Sequence, residues 1–357
     1  MSGLTDPLTE QTELPALRPM TAMHVPTRLR HGFIVLLAAL LPAVAPPEAL
    51  AQPHGAADYP SRPLRFIVPL PPGGGSDFVA RLIGQKLGDA FGQQVVIDNR
   101  PGASGIIAAD IVAKAVPDGY TLLLAIGAHA VNPALTKKLP FDTRKAFAAV
   151  SLLARSPIIL SAHPSLAANN VRELVALART RPGQVSVASF GYGAMSHLAA
   201  EQLKLYAGID LLNVPYKGAG EAITHLLGGE VNLMFSSPAS VLPQFKSGKL
   251  KALALTGKAR ARVAPDIPTF TEQGLPQVDA DNWYGMLVTA GTPHAVVMKL
   301  NAELQRILRL PDVIERLALS VDGEPTGSSP AEFRAFFDAE IERWAKLVHD
   351  AKLRPQD

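Results

Sequence analysis

The chain has 357 residues, with 34 Lys and Arg against 31 Asp and Glu, a formal net charge of +3 and no cysteine. The lack of cysteine excludes a disulfide framework, a thiol nucleophile and a lipid-modified cysteine anchor. The charge is mild and forms no basic stripe with interleaved aromatic residues, so we expect no nucleic-acid partner. The length is sufficient for two lobes of ordinary size.

The first 51 residues are interpreted as a leader with a secretory signal peptide. Arg28 and Arg30 precede an apolar run over 32–45, and Ala49 to Ala51 has the small-x-small pattern of a cleavage site. The apolar run is shorter than the ~20 residues of a membrane span, so a retained anchor is the weaker alternative. We expect cleavage near Ala51 and a soluble mature protein in the periplasm.

From position 59 onward, short β-rich runs alternate with amphipathic stretches, a pattern typical of α/β proteins with mostly parallel sheets flanked by helices. Helices are predicted at 78–91 with Ser76 as N-cap, after Thr292, and at 171–180 and 330–351. The last two open on predicted capping boxes, Asn170 with Glu173 and Ser329 with Glu332. The predicted strands, in chain order, are Leu64 to Val68, Val95 to Ile97, Thr121 to Ala125, Ile158 to Ala162, Val185 to Ala188, Leu211 to Val214, Val231 to Phe235, Lys251 to Thr256 and Tyr284 to Thr289.

No Ser/Gly-rich linker separates two halves of this chain, so a two-lobed arrangement requires the backbone to cross between lobes more than once. The runs 151–164 and 281–293 are the natural crossings. The sequence therefore predicts a discontinuous first lobe of residues 59–160 plus 283–357 and a second lobe of residues 161–282.

The first candidate for a binding site is a strand that ends in a Gly-rich turn and passes directly into a helix. Backbone N–H groups and the positive helix end can converge there on a carboxylate or a phosphate, although a plain tight turn is the alternative. A carboxylate would be repelled by Asp77, so if Asp77 faces the cleft we expect it to meet an ammonium, a hydroxyl or water. The candidate residues are Pro69, Leu70, Gly73, Gly74, Ser76 and Asp77.

A second turn of this kind, over 189–197, again follows a strand and precedes a helix. Ligands of open parallel sheets bind beyond the carboxyl ends of strands, so two facing turns would form a clamp. A secreted hydrolase is an alternative if a serine here is hydrogen-bonded to His197, but Gly-x-Ser-x-Gly is absent and a serine at a helix start is usually a cap. The candidate residues are Ser189, Phe190, Gly193, Ala194 and His197.

Further strand ends supply Tyr216, Lys217 and Ser236 as candidates. Lys217 is either a counter-charge to an anion or a solvated lysine. His129 lies beside another candidate loop. It is either a ligand contact or a hydrogen-bonded structural residue. The histidines have no metal-ligating spacing, so neither a metal nor another cofactor is expected.

Taken in order, these segments resemble the extracytoplasmic receptors of tripartite tricarboxylate transporters, also called Bug receptors. The resemblance extends from Tyr59 to the last predicted helix. It is carried by the segments 59–63, 68–77, 98–103, 117–123, 132–135, 197–199, 214–218, 226–229, 267–269 and 290–293.

The resemblance implies a two-lobed periplasmic-binding-protein (Venus flytrap) fold, with a ligand carboxylate held by backbone amides and bridging waters near the first Gly-rich turn. It also implies a two-component membrane permease as partner. By position, it assigns binding to the segments 69–77, 126–129, 189–197 and 216–218.

The chain departs from the family pattern at Ala128, Phe190 and Ala194, where small or hydroxyl residues are common, and at Ser236, where aspartate is frequent. Each lost hydrogen bond is worth roughly 0.5–1.5 kcal/mol, so we expect an acid with an apolar or aromatic body. The predicted protein is a monomeric, non-enzymatic receptor that closes around a small carboxylate and delivers it to a permease. A sensor that presents its closed form to a membrane kinase is the alternative.

Overall fold

The computed structural model describes residues 58–216 and 218–355. The leader and signal-peptide prediction and Lys217 lie outside the described residues. Within them, the strands in chain order are β1 (Leu64–Val68), β2 (Val95–Asn99), β3 (Thr121–Ile126), β4 (Phe147–Ser156), β5 (Ile159–Ala162), β6 (Ser186–Ser189), β7 (Leu212–Pro215), β8 (Leu233–Ser236), β9 (Lys251–Leu255), β10 (Asn282–Thr289) and β11 (Glu324–Pro325).

The strands form two sheets, in the orders β11-β4-β10-β3-β1-β2 and β7-β6-β8-β5-β9. The predicted two-lobed α/β fold is confirmed, but each sheet is mixed instead of mostly parallel. β1 pairs in parallel with β2 and β3, and β6 pairs in parallel with β7 and β8. Four of the antiparallel pairings arise because β5 and β10, the strands that enter each sheet from the other one, run against both of their neighbours. A further antiparallel pairing joins the two-residue strand β11 to β4.

Helices cover the sheets, and none of those described is long and apolar enough to cross a membrane. The helices are α1 (Gly75–Phe91), α2 (Ile106–Ala113), α3 (Gly127–Leu135), α4 (Val171–Thr180), α5 (Met195–Ala207), α6 (Ala219–Leu227), α7 (Pro238–Lys246), α8 (His294–Ile307), α9 (Pro311–Val321) and α10 (Pro330–Asp350). We call the first sheet with α1, α2, α3, α8, α9 and α10 the first lobe, and the second sheet with α4 to α7 the second lobe.

All the predicted strands occur, with small shifts at their ends, but one predicted N-cap is wrong and one strand, β4, was not predicted. Ser76 is not the N-cap of α1. The N-cap is Gly74, a residue type that serves at this position because it leaves the first helix amides uncovered, and Ser76 lies inside the first turn. The ten-residue strand β4 is absent from the predicted strands, and its second half falls in the run 151–164 that is predicted to cross between the lobes. Its apolar residues alternate poorly because it is buried along nearly its whole length.

The two sheets share one hydrophobic cluster, which contains Ile67 and Leu123 of the first sheet and Leu160 and Phe235 of the second. Two further clusters belong each to a single sheet. The crossing segments are also joined. The hydroxyl of Thr256 accepts a hydrogen bond from the Ile158 amide at 2.9 Å and donates one to Asp281 at 2.6 Å.

Candidate functional site

A cavity of about 660 Å³ lies between the lobes and is lined by both. The first lobe contributes Leu70, Gly75, Ser76, Ala103, Ser104, Ile106, Ile126, Gly127, Ala128, Val131, Asn132, Leu135, Thr136, Asn282, Trp283 and Tyr284. The second lobe contributes Phe190, Tyr192, Gly193, Ala194 and Met195.

The start of α1 is one edge of this cavity. Gly75 and Ser76, its first two residues, line the cavity, whereas Asp77, its third, is buried and points back to the turn. The carboxylate of Asp77 accepts hydrogen bonds from the Gly73 amide at 3.0 Å and from Arg81 at 2.9 Å. Its second oxygen accepts one from the Asn99 side chain at 3.1 Å. The hydrogen bond from Arg81 lowers the pKa of Asp77, so this brace is ionised.

The start of α3 is built in the same way with a different side chain. Gly127 and Ala128 line the cavity, and the third residue, His129, turns back so that its Nδ1 accepts the Ile126 amide at 3.0 Å. Burial lowers the pKa of His129 to about 4, so the ring is neutral and carries its proton on Nε2. That nitrogen is buried with no hydrogen-bond partner among the described residues.

The start of α5, in the second lobe, repeats the arrangement. Met195 lines the cavity, and His197, the third residue of the helix, accepts the Gly193 amide on Nδ1 at 3.2 Å. Burial lowers the pKa of His197 as well. Ser196 accepts the Phe190 amide at 3.0 Å. Both side chains therefore brace the turn by accepting backbone amides.

Three helices thus point their N-termini at one cavity and hold the preceding turns with the side chain of the third residue. The first amides of a helix have no partner within the helix, and the helix dipole places partial positive charge there. Among the described residues that line the cavity, the only ionisable side chains are those of Tyr192 and Tyr284. Burial raises the pKa of Tyr284 to about 12, so its hydroxyl is neutral. The arrangement favours an anion bound by backbone amides.

Another wall of the cavity is apolar and includes Phe190, Met195 and Trp283. The Trp283 indole is fixed from behind, since its N–H donates to Glu340 at 3.1 Å and its ring packs edge-on against Phe337. This wall offers hydrocarbon and ring surface to a ligand.

Several contacts join the lobes in this arrangement, among them the three that follow. The Tyr192 hydroxyl donates to the Arg354 carbonyl at 2.8 Å. Asp322, which follows α9 in the first lobe, accepts the Ala239 amide at 2.7 Å, in the first turn of α7 in the second lobe. The Met195 methyl group lies against Gly127, 3.0 Å from where a Cβ would stand.

Of the residues predicted to bind ligand, six line the cavity, namely Leu70, Ser76, Ala128, Phe190, Gly193 and Ala194. Asp77, His129 and His197 do not line the cavity but brace the turns that do. Pro69 is buried against Gly105, and Gly73 and Gly74 are exposed in the turn. Ser189 and Ser236 end β6 and β8 with buried hydroxyls that have no partner among the described residues, while Tyr216 packs edge-on against His225.

Sequence reasoning missed the contributions of Ser104, Asn132 and the segment Asn282 to Tyr284. Ser104 follows the carboxyl end of β2, so the rule used for the other turns would have found it. The segment at 282 could not be found in that way. β10 is antiparallel to β3, with Tyr284 opposite Ile126, so its amino end reaches the same edge of the sheet.

Within residues 58–216 and 218–355, no three His, Asp or Glu side chains are close enough to hold a metal ion.

Known proteins are similar to this chain in sequence and in structure. Residues 79–353 match the model of the tripartite tricarboxylate transporter family receptor. Protein BugT of Bordetella pertussis is 36% identical over 309 residues, which cover 85% of this chain and 94% of BugT.

Two solved structures show the same fold. The R. palustris protein Rpa4515 with adipate has a TM-score of 0.72 and 34% identity, covering 84% of this chain and 100% of that one. MatC from Rhodopseudomonas palustris with bound malate has a TM-score of 0.68 and 33% identity, covering 81% and 100%. The resemblance noted in the sequence is confirmed: the chain belongs to the tripartite tricarboxylate transporter receptor family.

Proposed function

We propose that this protein is a periplasmic solute-binding receptor for a small carboxylate whose body is apolar or aromatic. The observation that carries the proposal is the convergence of three helix N-termini on a cavity whose described lining has no carboxylate, lysine or arginine. Relatives with adipate and with malate support the choice of a carboxylate over other anions. The predicted signal peptide over 1–51 supports export.

The acid group is bound at the starts of α1 and α3. Gly75 and Gly127 are the first residues of these helices, and both lack a side chain that would cover the backbone amides. At Gly75 a Cβ would stand 2.9 Å from the Tyr284 hydroxyl, so glycine is required there and the hydroxyl lies beside the turn. Amides and this neutral donor hydrogen-bond a carboxylate without the desolvation cost of a lysine or arginine.

The remainder of the ligand meets the apolar wall. Ala128, Phe190 and Ala194 add no hydroxyl to the cavity, and Trp283 and Met195 add apolar area. A polyhydroxylated or tribasic acid would leave polar groups without partners here, which costs about 1–3 kcal/mol for each group. A hydrocarbon or aromatic body gains roughly 25 cal/mol for each Å² that it buries.

Capture proceeds by closure of two lobes, residues 59–160 plus 283–357 and residues 161–282. The ligand contacts both lobes only in the closed arrangement, so binding shifts the population towards it. The contacts made by Tyr192, Asp322 and Met195 across the cleft favour the same arrangement. The closed monomer then delivers its ligand to a two-component membrane permease.

A thermal-shift and calorimetry panel of hexanoate, benzoate, adipate, malate and citrate tests this function. Native mass spectrometry of protein purified from the periplasm provides an independent readout of any retained ligand. We expect hexanoate or benzoate to raise the melting temperature most and citrate to have no effect. If only citrate or malate binds, the proposal of a ligand with an apolar body is overturned. If no acid binds in the panel and none is retained in native mass spectrometry, the receptor function itself is overturned.

A further inference from the structure

The first residues of α3 and α5 touch each other across the cavity. A Cβ on Gly127 would stand 3.0 Å from the Met195 methyl carbon, 3.3 Å from its sulfur and 3.7 Å from the Trp283 ring nitrogen. All three residues line the cavity. The Met195 side chain and the Trp283 ring therefore both lie close to the Gly127 backbone, in the same part of the cavity.

The two first-lobe members of this contact are fixed. Gly127 belongs to a helix start that is braced by His129, and the Trp283 indole is hydrogen-bonded to Glu340 at 3.1 Å. Glu340 is itself buried and paired with Arg343 at 2.7 Å. The contact can therefore adjust only on the side of Met195, whose unbranched and polarisable side chain fills irregular gaps and packs well against rings.

We propose that Met195 is a specificity-determining residue that sets the size of the ligand body, with Gly127 as the surface against which it closes. This inference rests on the proposed function and extends it by naming the residue that determines which ligand length binds best. Because Met195 belongs to the second lobe, it reaches the ligand as the lobes close, and a body that is too long prevents its contact with Gly127.

Substitutions on the two sides of the contact have opposite consequences. Met195→Ala removes the thioether and leaves room for a body longer by about two methylene groups. Gly127→Ala adds a methyl group at the point where Met195 rests, so Met195 is displaced into the cavity and shorter bodies are preferred. Met195→Leu keeps most of the volume and the preferred length.

Calorimetric titration of straight-chain monocarboxylates, from butanoate to decanoate, measures the preferred length in each variant. Met195→Ala should move the tightest-binding acid upward by about two carbons, with each newly buried methylene lowering Kd about fourfold. Gly127→Ala should move it downward, and it should also weaken all the acids together, because its methyl group partly covers the amides at the start of α3. Met298→Ala, an exposed methionine on α8, is the matched control and should leave the length profile unchanged.

The outcomes separate this inference from the function on which it rests. If the wild-type protein binds none of these acids, and none of the wider panel, the proposed function fails before any variant is compared. If the wild-type protein binds them and Met195→Ala keeps the same preferred length, the role of Met195 is overturned. Circular dichroism melting of each variant establishes that a changed profile is not caused by unfolding.

Discussion

The starts of α1 and α3 are braced in the same way, by an ionised side chain in α1 and by a neutral side chain in α3. In both helices the third side chain turns back and accepts a backbone amide of the preceding turn, from Gly73 to Asp77 and from Ile126 to His129. Asp77 remains an acceptor because the hydrogen bond from Arg81 lowers its pKa and keeps it ionised. His129 remains an acceptor because burial lowers its pKa and keeps it neutral. A helix start facing an anion site needs the acceptor, not a particular charge.

The chemical difference between Asp77 and His129 also determines the pH at which each brace is lost. His129 ceases to accept once its ring is protonated on both nitrogens, whereas Asp77 ceases to accept only when its carboxylate is protonated. The brace of α3 is therefore lost at a higher pH than the brace of α1. Substitutions at the two positions can separate these contributions.

The largest effect is expected from the pH dependence of the α3 brace. His129 has a folded pKa of about 4 against 6.5 for a free histidine, so the unfolded chain binds more protons between these values. Stability should therefore be complete above about pH 6.5 and fall with decreasing pH, by on the order of 3 kcal/mol at the pKa of about 4. His129→Gln retains an acceptor that does not titrate and should flatten this part of the curve in urea unfolding.

Exposed His294 at the start of α8 provides the control for this measurement. His294→Gln should follow the wild-type curve. If His129→Gln also follows it, the buried imidazole is not the group that makes the fold sensitive to acid, and the comparison between α1 and α3 is broken.

A smaller effect is expected from Asp77→Ala, which removes the brace of α1. We expect a loss of about 2 kcal/mol in the free energy of unfolding, since charge-assisted hydrogen bonds to Gly73, Arg81 and Asn99 disappear together. Because Asp77 positions the turn and does not line the cavity, affinity for benzoate and for an amino acid should fall by a similar factor.

Asp77→Asn is the matched variant, because it keeps an oxygen acceptor for the Gly73 amide and removes the charge. It should restore part of the lost affinity for both ligands. A loss confined to the amino acid would instead place Asp77 in contact with the ligand ammonium, which is the role that the sequence suggested for it.

These braces mark the limit of what the sequence predicts here. The capping interactions of Asn170 and Ser329 were predicted correctly, since each joins residues three positions apart in one helix. The turns at the cavity were found from strand ends followed by glycines. Whether Asp77 faces the ligand or the turn depends on Asn99, which is brought close by the pairing of β1 with β2. No local pattern contains that information.

The smallest effect is expected at the start of α7, where the acceptor of a backbone amide is Asp322 of the other lobe. The Ser240 hydroxyl, at the third position of α7, pairs with the Ser237 hydroxyl at 2.9 Å, and the Ala239 amide is accepted by Asp322 at 2.7 Å. Asp322→Ala should cost about 1 kcal/mol and, because the contact joins the lobes, should weaken acid binding about fivefold.

Asp322 has a left-handed backbone with φ of 51°, so an alanine there also adds strain that has nothing to do with the lobes. Asp322→Asn tolerates that backbone, keeps an acceptor for Ala239 and removes only the charge. Small-angle scattering of the ligand-free variants should show a larger radius of gyration for Asp322→Ala than for Asp322→Asn. If the two variants have the same radius of gyration and the same affinity for acids, the contact between Asp322 and the Ala239 amide does not stabilise the closed arrangement. Asp322 then contributes only to the free energy of unfolding.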